Sequence, residues 1–179
     1  VIAYRDVSNS SYGTAAVFGN TGFPLPQLGS AEIFHSTSSN IHKSGATFDS
    51  TNGKVVIAYR DVSNSNSGTA VVGTVSGTSI SFGTPVVFES SNISQYSTSA
   101  TFDSTNNKVV IVYADFGNSR YGTVINGTVS GTSISFGSSL VFESAITDYS
   151  SVTYDSTNDK SVVVYRDGGN SSYGTASVI

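Results

Sequence analysis

The chain has 179 residues, a length suited to one compact domain, and its Ser and Thr (35 and 19) and Val (22) far outnumber Leu (3), Gln (2), Glu (3) and Met (0). Residues that pack well on pleated sheet thus dominate those that build helices, and an all-β fold follows from composition alone. No apolar run reaches the roughly 18 residues a membrane helix needs; there is no Cys, only two His, and a net charge of −4 from scattered residues, which disfavours membrane insertion, thiolate or multi-histidine metal sites and nucleic-acid binding.

Read from its first residue, the chain opens on VIAYRD, at residues 1–6, and the phrase returns as KVVIAYRD at 54–61, KVVIVYAD at 108–115 and KSVVVYRD at 160–167. Self-similarity at a fixed step is the signature of a repeat architecture. The tyrosines Tyr4, Tyr59, Tyr113 and Tyr165 mark a step of about 54 residues, and ATFDS (46–50, 100–104, with VTYDS at 152–156) and VSGTSISFG (75–83, 129–137) keep the same step. The FES triplets at Phe88 and Phe142 align with Phe34, His35 and Ser36.

Within each repeat the spacing predicts four strands. Strand A is ATFDS, and residues 50–53 form a tight turn whose Asn-Gly supplies positive φ. Strand B spans 54–61, and its VVIAY centre is apolar on both sides of the pleat, so it should be covered on both faces. Strand C runs from Gly68 to about Val75 and ends in Ser76-Gly77-Thr78. Strand D, 79–89, is interrupted by Gly83-Thr84-Pro85, which suits an outer edge strand with a bulge because proline donates nothing to a ladder. The first repeat departs from the others over residues 19–36, where Pro24 and Pro26 interrupt the pattern.

Four-stranded antiparallel units with doubly covered inner strands resemble the blades of a β-propeller. The Ser/Thr-rich wording is also similar to repeats of bacterial surface proteins and of phage tail or receptor-binding proteins; no WD, kelch or Asp-box signature is present. The resemblance implies a β-propeller-like array of about 3.5 blades: a partial blade over 1–36, blades over 45–90 and 99–144, and a partial blade over 151–179. A β-trefoil is the competing fold. Because propellers have about four to eight blades, the expectation is that the chain belongs to a larger polypeptide or completes itself as a homo-oligomer.

In such a blade the A–B and C–D turns share one end and the longer B–C and D–A loops the other, and sites favour loops held on a rigid scaffold. The candidate ligand-binding residues are therefore Arg5, Asp6, Tyr12, Arg60, Asp61, Asn64, Asp115, Tyr121, Arg166, Asp167 and Tyr173, joined by Asn9, Asn118 and Asn170 and, from the D–A side, His42, Tyr96 and Tyr149. Carboxylates, amides and aromatic rings are what glycan recognition uses, so the expected function is a non-enzymatic, lectin-like module at an extracellular, cell or virion surface, strengthened by several weak sites acting together. A structural, self-assembling subunit is the alternative. A propeller-type glycosidase is a third reading, disfavoured because identical recurring Asp residues do not make the asymmetric carboxylate pair it needs. The Arg-Asp pairs have a structural reading as well, as ion pairs between blades and caps of their loops; Ala114 replaces the arginine in the third repeat. The D-S-T-N segments at Asp49, Asp103 and Asp155 carry too few shared carboxylates for a calcium loop and read as turns. No cofactor is expected.

Overall fold

The computed structural model describes residues 1–6, 12–19, 27–37 and 41–179, and in them the chain is all-β. Its strands are β1 (Ile2–Asp6), β2 (Tyr12–Ala16), β3 (Phe18–Gly19), β4 (Gln27–Leu28), β5 (Glu32–His35), β6 (Ile41–Asp49), β7 (Lys54–Asp61), β8 (Ser67–Ser76) and β9 (Ser79–Phe82). These are followed by β10 (Val86–Glu89), β11 (Ile93–Asp103), β12 (Lys108–Asp115), β13 (Tyr121–Ser130), β14 (Ser133–Phe136), β15 (Leu140–Asp155), β16 (Lys160–Asp167) and β17 (Tyr173–Val178). One 3-10 turn, Phe116–Asn118, is the sole helical element among the described residues.

Each repeat forms one antiparallel sheet in sequence order. The first sheet is β1-β2-β5, with β3 and β4 as a separate two-stranded ribbon; the second is β6-β7-β8, with β9 and β10 both pairing along the outer side of β8. The third repeats this with β11-β12-β13 and β14. The long β15 then serves twice: its first half pairs with β13 as the outer strand of the third sheet, and its second half pairs with β16 to open the fourth, which ends at β17. The expected strand D is thus two pieces, split where Gly83, Thr84 and Pro85 leave the ladder, with a register shift between Val87 and Glu89. The turn after strand A takes positive φ at Gly53 (62°), and Asn107 and Asp159 adopt the same conformation in the later repeats.

The sheets lie face to face, and the side-chain period of two in strand B divides its residues between two interfaces. Val55, Ile57 and Tyr59 of β7 pack with Ala15, Val17 and Phe34 of the first sheet. Val56 and Ala58, from the other face of the same strand, pack with Val109, Ile111 and Tyr113 of the third sheet. Val112 of β12 in turn meets Val152, Val163 and Tyr165 of the fourth. The doubly apolar centre of strand B is covered twice in β7 and β12, as its sequence predicts.

A three-part contact locks each sheet to the next. Near the start of strand C a glycine leaves room for a strand D phenylalanine: a Cβ on Gly13, Gly68 or Gly122 would lie 2.7, 2.3 or 2.7 Å from the ring of Phe34, Phe88 or Phe142. The same ring meets the tyrosine of the following strand B, Phe34–Tyr59, Phe88–Tyr113 and Phe142–Tyr165, at centroid distances of 5.3, 5.2 and 5.4 Å. The residue after the phenylalanine then reaches the tyrosine hydroxyl: His35 Nδ1 at 3.4 Å, Glu89 Oε2 at 3.2 Å and Glu143 Oε2 at 2.9 Å. Aromatic pairs of this kind add about 0.5–1.5 kcal/mol each beyond the area they bury. Desolvation by burial, then the nearby Asp61 charge for Tyr59 and the Glu89 charge for Tyr113, push both phenols far above their ordinary range.

Candidate functional site

At the short-turn end each carboxylate is held by its own turn, and side chains such as Thr51 with Asn107 and Tyr154 with Thr105 tie neighbouring turns together. The Asp49 carboxylate accepts from the Thr51 and Asn52 amides at 3.0 and 2.9 Å and from the Asn52 side chain at 2.8 Å. Asp103 does the same with Thr105 and Asn106, and Asp155 with Thr157 and Asn158. Each D-S-T-N segment is thus an Asx-type turn whose carboxylate is filled by the turn's own donors. Burial raises the Asp103 carboxyl, but the hydrogen bonds led by Asn106 prevail and hold it below its usual value; the Asn158 side chain and the turn amides lower Asp155.

At the opposite end the Asp of the YRD motif is a loop anchor. Asp61 Oδ1 accepts the backbone N–H groups of Ser63 and Asn64 at 2.9 and 3.2 Å, while Asn64 closes its turn by accepting from the Ser67 amide at 2.9 Å. His35 Nε2 also lies 3.4 Å from Asp61. Asp115 accepts the Gly117 amide at 2.8 Å and the Ser91 hydroxyl at 2.7 Å, and Asp167 accepts the Gly169 amide at 2.8 Å. Asn118 lies in the 3-10 turn, and Asn170 accepts the Tyr173 amide through its backbone.

The arginines turn away from these aspartates. Arg60 donates through Nε to the Ile93 carbonyl at 2.8 Å and through Nη2 to Asn92 at 3.3 Å, tying strand B to the loop that leads into the next sheet; burial lowers its pKa from the ordinary value. Arg166 pairs with Asp148 Oδ2 at 2.8 Å, and Arg120 binds the other carboxylate oxygen. The expected ion pair between blades, motif Arg to motif Asp, is absent among the described residues: the arginines take other partners, and the aspartates are filled by their own loops. Asp148 and Arg120 are the residues sequence reading missed. Arg120, from the B–C loop with φ of 62°, supplies the guanidinium where Ala114 provides none. A lone cation in that loop of the third repeat was the available signal.

What this end offers to solvent is aromatic. Tyr96 and Tyr149, from bulges in β11 and β15, pack at 5.6 Å between centroids with their rings tilted by 42°, and are 42% and 60% exposed. The Arg166 guanidinium sits 5.9 Å from the Tyr149 ring and Arg120 5.2 Å from Phe116. Close to the pair in sequence are the buried hydroxyls of Ser94, Ser97, Thr98, Thr147 and Ser150, of which Thr98 Oγ1 and Ser150 Oγ have no hydrogen-bond partner among the described residues. Tyr12 and Tyr121 are half-buried at the starts of β2 and β13, Tyr173 is exposed at the start of β17, and His42 stands across from Arg60 in the β6–β7 ladder. The backbones of Arg5 and Asp6 pair with Gly13 and Tyr12; their side chains, and Asn9, lie outside the described residues. The described members of the predicted set thus come to one end but not into one pocket.

Two cavities open on the later sheets. One, of about 410 Å³, is lined by Tyr149, Val164, Arg166, Gly174 and Ala176 on the outer face of the fourth sheet. The other, of about 580 Å³, lies between the third and fourth sheets against Val124, Leu140, Phe142 and Tyr154. No group of three or more His, Cys, Asp or Glu placed to hold a metal ion occurs among the described residues, and no helix is long and apolar enough to cross a membrane. No protein-family model matches the chain, and no curated protein matches its sequence.

Proposed function

We propose that the chain is a non-enzymatic repeat module of β-propeller type, displayed at an extracellular, cell or virion surface, whose long-loop end binds glycans. The observation that carries this reading is the exposed Tyr96–Tyr149 pair with Arg166 at its edge. Sugar rings offer C–H faces that stack on aromatic side chains and hydroxyls that accept from a guanidinium, and a ring held by a neighbouring ring loses little entropy when a ligand arrives. The aspartates of the motif serve as loop anchors, so the role in recognition passes to the tyrosines and to Arg166. The face-to-face sheets and their strand order support the propeller reading.

The test is a glycan array followed by titration of the best hit. Saturable binding that weakens about tenfold, equivalent to about 1.4 kcal/mol, in Tyr149→Ala supports the proposal. Binding by Tyr149→Ala and Tyr96→Ala at unaltered affinity, or the absence of any glycan hit, rejects it.

A second reading, a self-assembling structural subunit, is favoured by the Phe–Gly–Tyr lock between successive sheets, which needs only another copy of the same surfaces to continue. Sedimentation velocity separates the two: assembly growing with protein concentration, without glycan binding, selects the subunit.

A further inference from the structure

On strand A of the third and fourth sheets, the hydroxyls of Thr98 and Ser150 are sealed from solvent, at 0% and 1% exposure, and are without a hydrogen-bond partner among the described residues. They hold the same place in the repeat, since the residues that follow them, Ser99 and Ser151, oppose the equivalent strand B positions Val112 and Val164. Each faces the preceding sheet. Ala100, two residues beyond Thr98, packs against the core that holds Val56 and Ala58 of the second sheet. Val152, two beyond Ser150, packs with Val112 of the third, and burial alternates through Ser150, Ser151 and Val152; residues two apart on a strand share a face. These seams are tight. A Cβ on Gly45 of β6 would lie 2.9 Å from the Ala100 nitrogen. Ser97 Oγ donates to the Thr147 carbonyl at 3.4 Å, and the Val152 N–H donates to Ser99 Oγ at 3.2 Å. Ser44 stands at the same place in β6, opposite Tyr59 as Thr98 is opposite Tyr113, and its hydroxyl donates directly to the Ala3 carbonyl of the preceding strand B at 3.5 Å.

We propose that each of these two hydroxyls holds a buried water, which relays Thr98 Oγ1 to the Ala58 carbonyl and Ser150 Oγ to the Val112 carbonyl. Ala58 and Val112 occupy the strand B position of Ala3, so the water takes the route that Ser44 covers directly in the first seam. A carbonyl in a ladder keeps a second lone pair, and accepting from a water leaves the sheet intact. A buried hydroxyl left unpaired bears its full desolvation cost, which a water with two to four polar partners removes. At the Ser150 seam, the hydroxyls of Ser97 and Ser99 already turn toward β15 and supply further partners. The groups named are hydroxyls and main-chain carbonyls, with no carboxylate among them to balance a cation, which selects water over an ion. Both seams lie between sheets that this chain supplies itself. The proposal stands apart from the glycan reading, because Tyr96, Tyr149 and Arg166 take no part in it.

A high-resolution crystal structure of the whole chain tests this directly. It should show one ordered water within hydrogen-bond reach of Thr98 Oγ1 and one at Ser150 Oγ, each with a second protein partner. Thr98→Val, which keeps the shape and deletes the hydroxyl, gives an independent reading by urea denaturation. A water that loses its partner should raise the unfolding equilibrium constant about five- to tenfold and lower the midpoint. A dry orphan predicts the opposite sign, because deleting an unpaired hydroxyl stabilises the fold. An unchanged or raised midpoint in Thr98→Val therefore overturns the proposal. So does a crystal structure in which either hydroxyl has no water or bonds directly to protein, and that measurement needs no substitution if the variant does not fold.

Discussion

Strands β12 and β16 carry nearly the same words, KVVIVYAD and KSVVVYRD, yet they are buried differently. In β12 the six residues from Val109 to Ala114 are all buried, whereas in β16 burial alternates, with Val163 and Tyr165 inside and Val164 outside. The third sheet is covered on both faces and the fourth on one. An apolar run on both faces of a strand therefore states what the strand can be packed between, and its actual burial reports how many neighbours it has. The repeat encodes an interface twice over, and the fourth sheet shows one half of that interface uncovered.

The widest gap between the two strands is expected from truncation. Ile111 is fully buried between the second and third sheets, and Ile111→Ala should cost about 2–5 kcal/mol, from lost transfer energy and a residual cavity. Val164→Ala, on the open face, should stay within about 0.5 kcal/mol. Urea denaturation of the two variants measures the contrast, and equal losses would mean that the outer face of the fourth sheet is covered in solution.

Glycine sharpens the same contrast. Gly68→Ala places a methyl group against the Phe88 ring and should cost about 1–3 kcal/mol through overpacking. Gly174→Ala meets open space and should change stability by no more than about 0.5 kcal/mol. Thermal melts of both variants decide it; a large loss at Gly174 would mean that this glycine is crowded in solution.

Alkaline titration tests the lock rather than its absence. Tyr59 and Tyr113 are pushed upward by burial and nearby acids. A phenol whose folded pKa exceeds its unfolded value contributes stability below the unfolded pKa, near 10, and that contribution is lost as pH rises. Their ionisation, followed by ultraviolet difference absorbance, should coincide with unfolding. A tyrosine signal completed before any loss of β-sheet circular dichroism would contradict the buried placement of these rings.

These contrasts also mark what could be read from residues alone. The bounds of strand B, the break of strand D at Gly83 to Pro85 and the positive φ at Gly53 were legible because each follows from local chemistry. The anchoring role of Asp61, Asp115 and Asp167 was legible as a cap of their loops, whereas no ion pair joins a motif arginine to a motif aspartate of another sheet among the described residues, because Arg60 and Arg166 turn to Ile93 and Asp148. The Asp148 clamp was not legible, since Arg120 reaches it from a different loop and sequence distance says nothing of that approach. The Phe–Gly–Tyr lock was visible only as separate recurring features: the FES triplet, a Gly-Thr at the start of strand C and the tyrosine of strand B. What joins them is packing between sheets, which no single-strand pattern expresses.

The smallest effect belongs to the short-turn end, where the third and fourth sheets should behave nearly alike because each carboxylate is held chiefly by its own turn, with Tyr154 adding one hydrogen bond at Asp103. Hydrogen bonds to Asn106 and Asn158 hold the carboxyls of Asp103 and Asp155 below their ordinary values. A carboxylate with a lowered folded pKa contributes stability above its unfolded pKa, near 4, and loses it as pH falls through the folded value. Stability should therefore decline below about pH 4, and the decline should be shallower in Asp103→Asn and in Asp155→Asn by similar amounts. Urea midpoints measured across that range check this. An unequal response would show that contacts between turns, such as Tyr154 with Asp103, outweigh the turn's own donors, and an unchanged slope in the double variant would mean that these turns do not govern the acid limb.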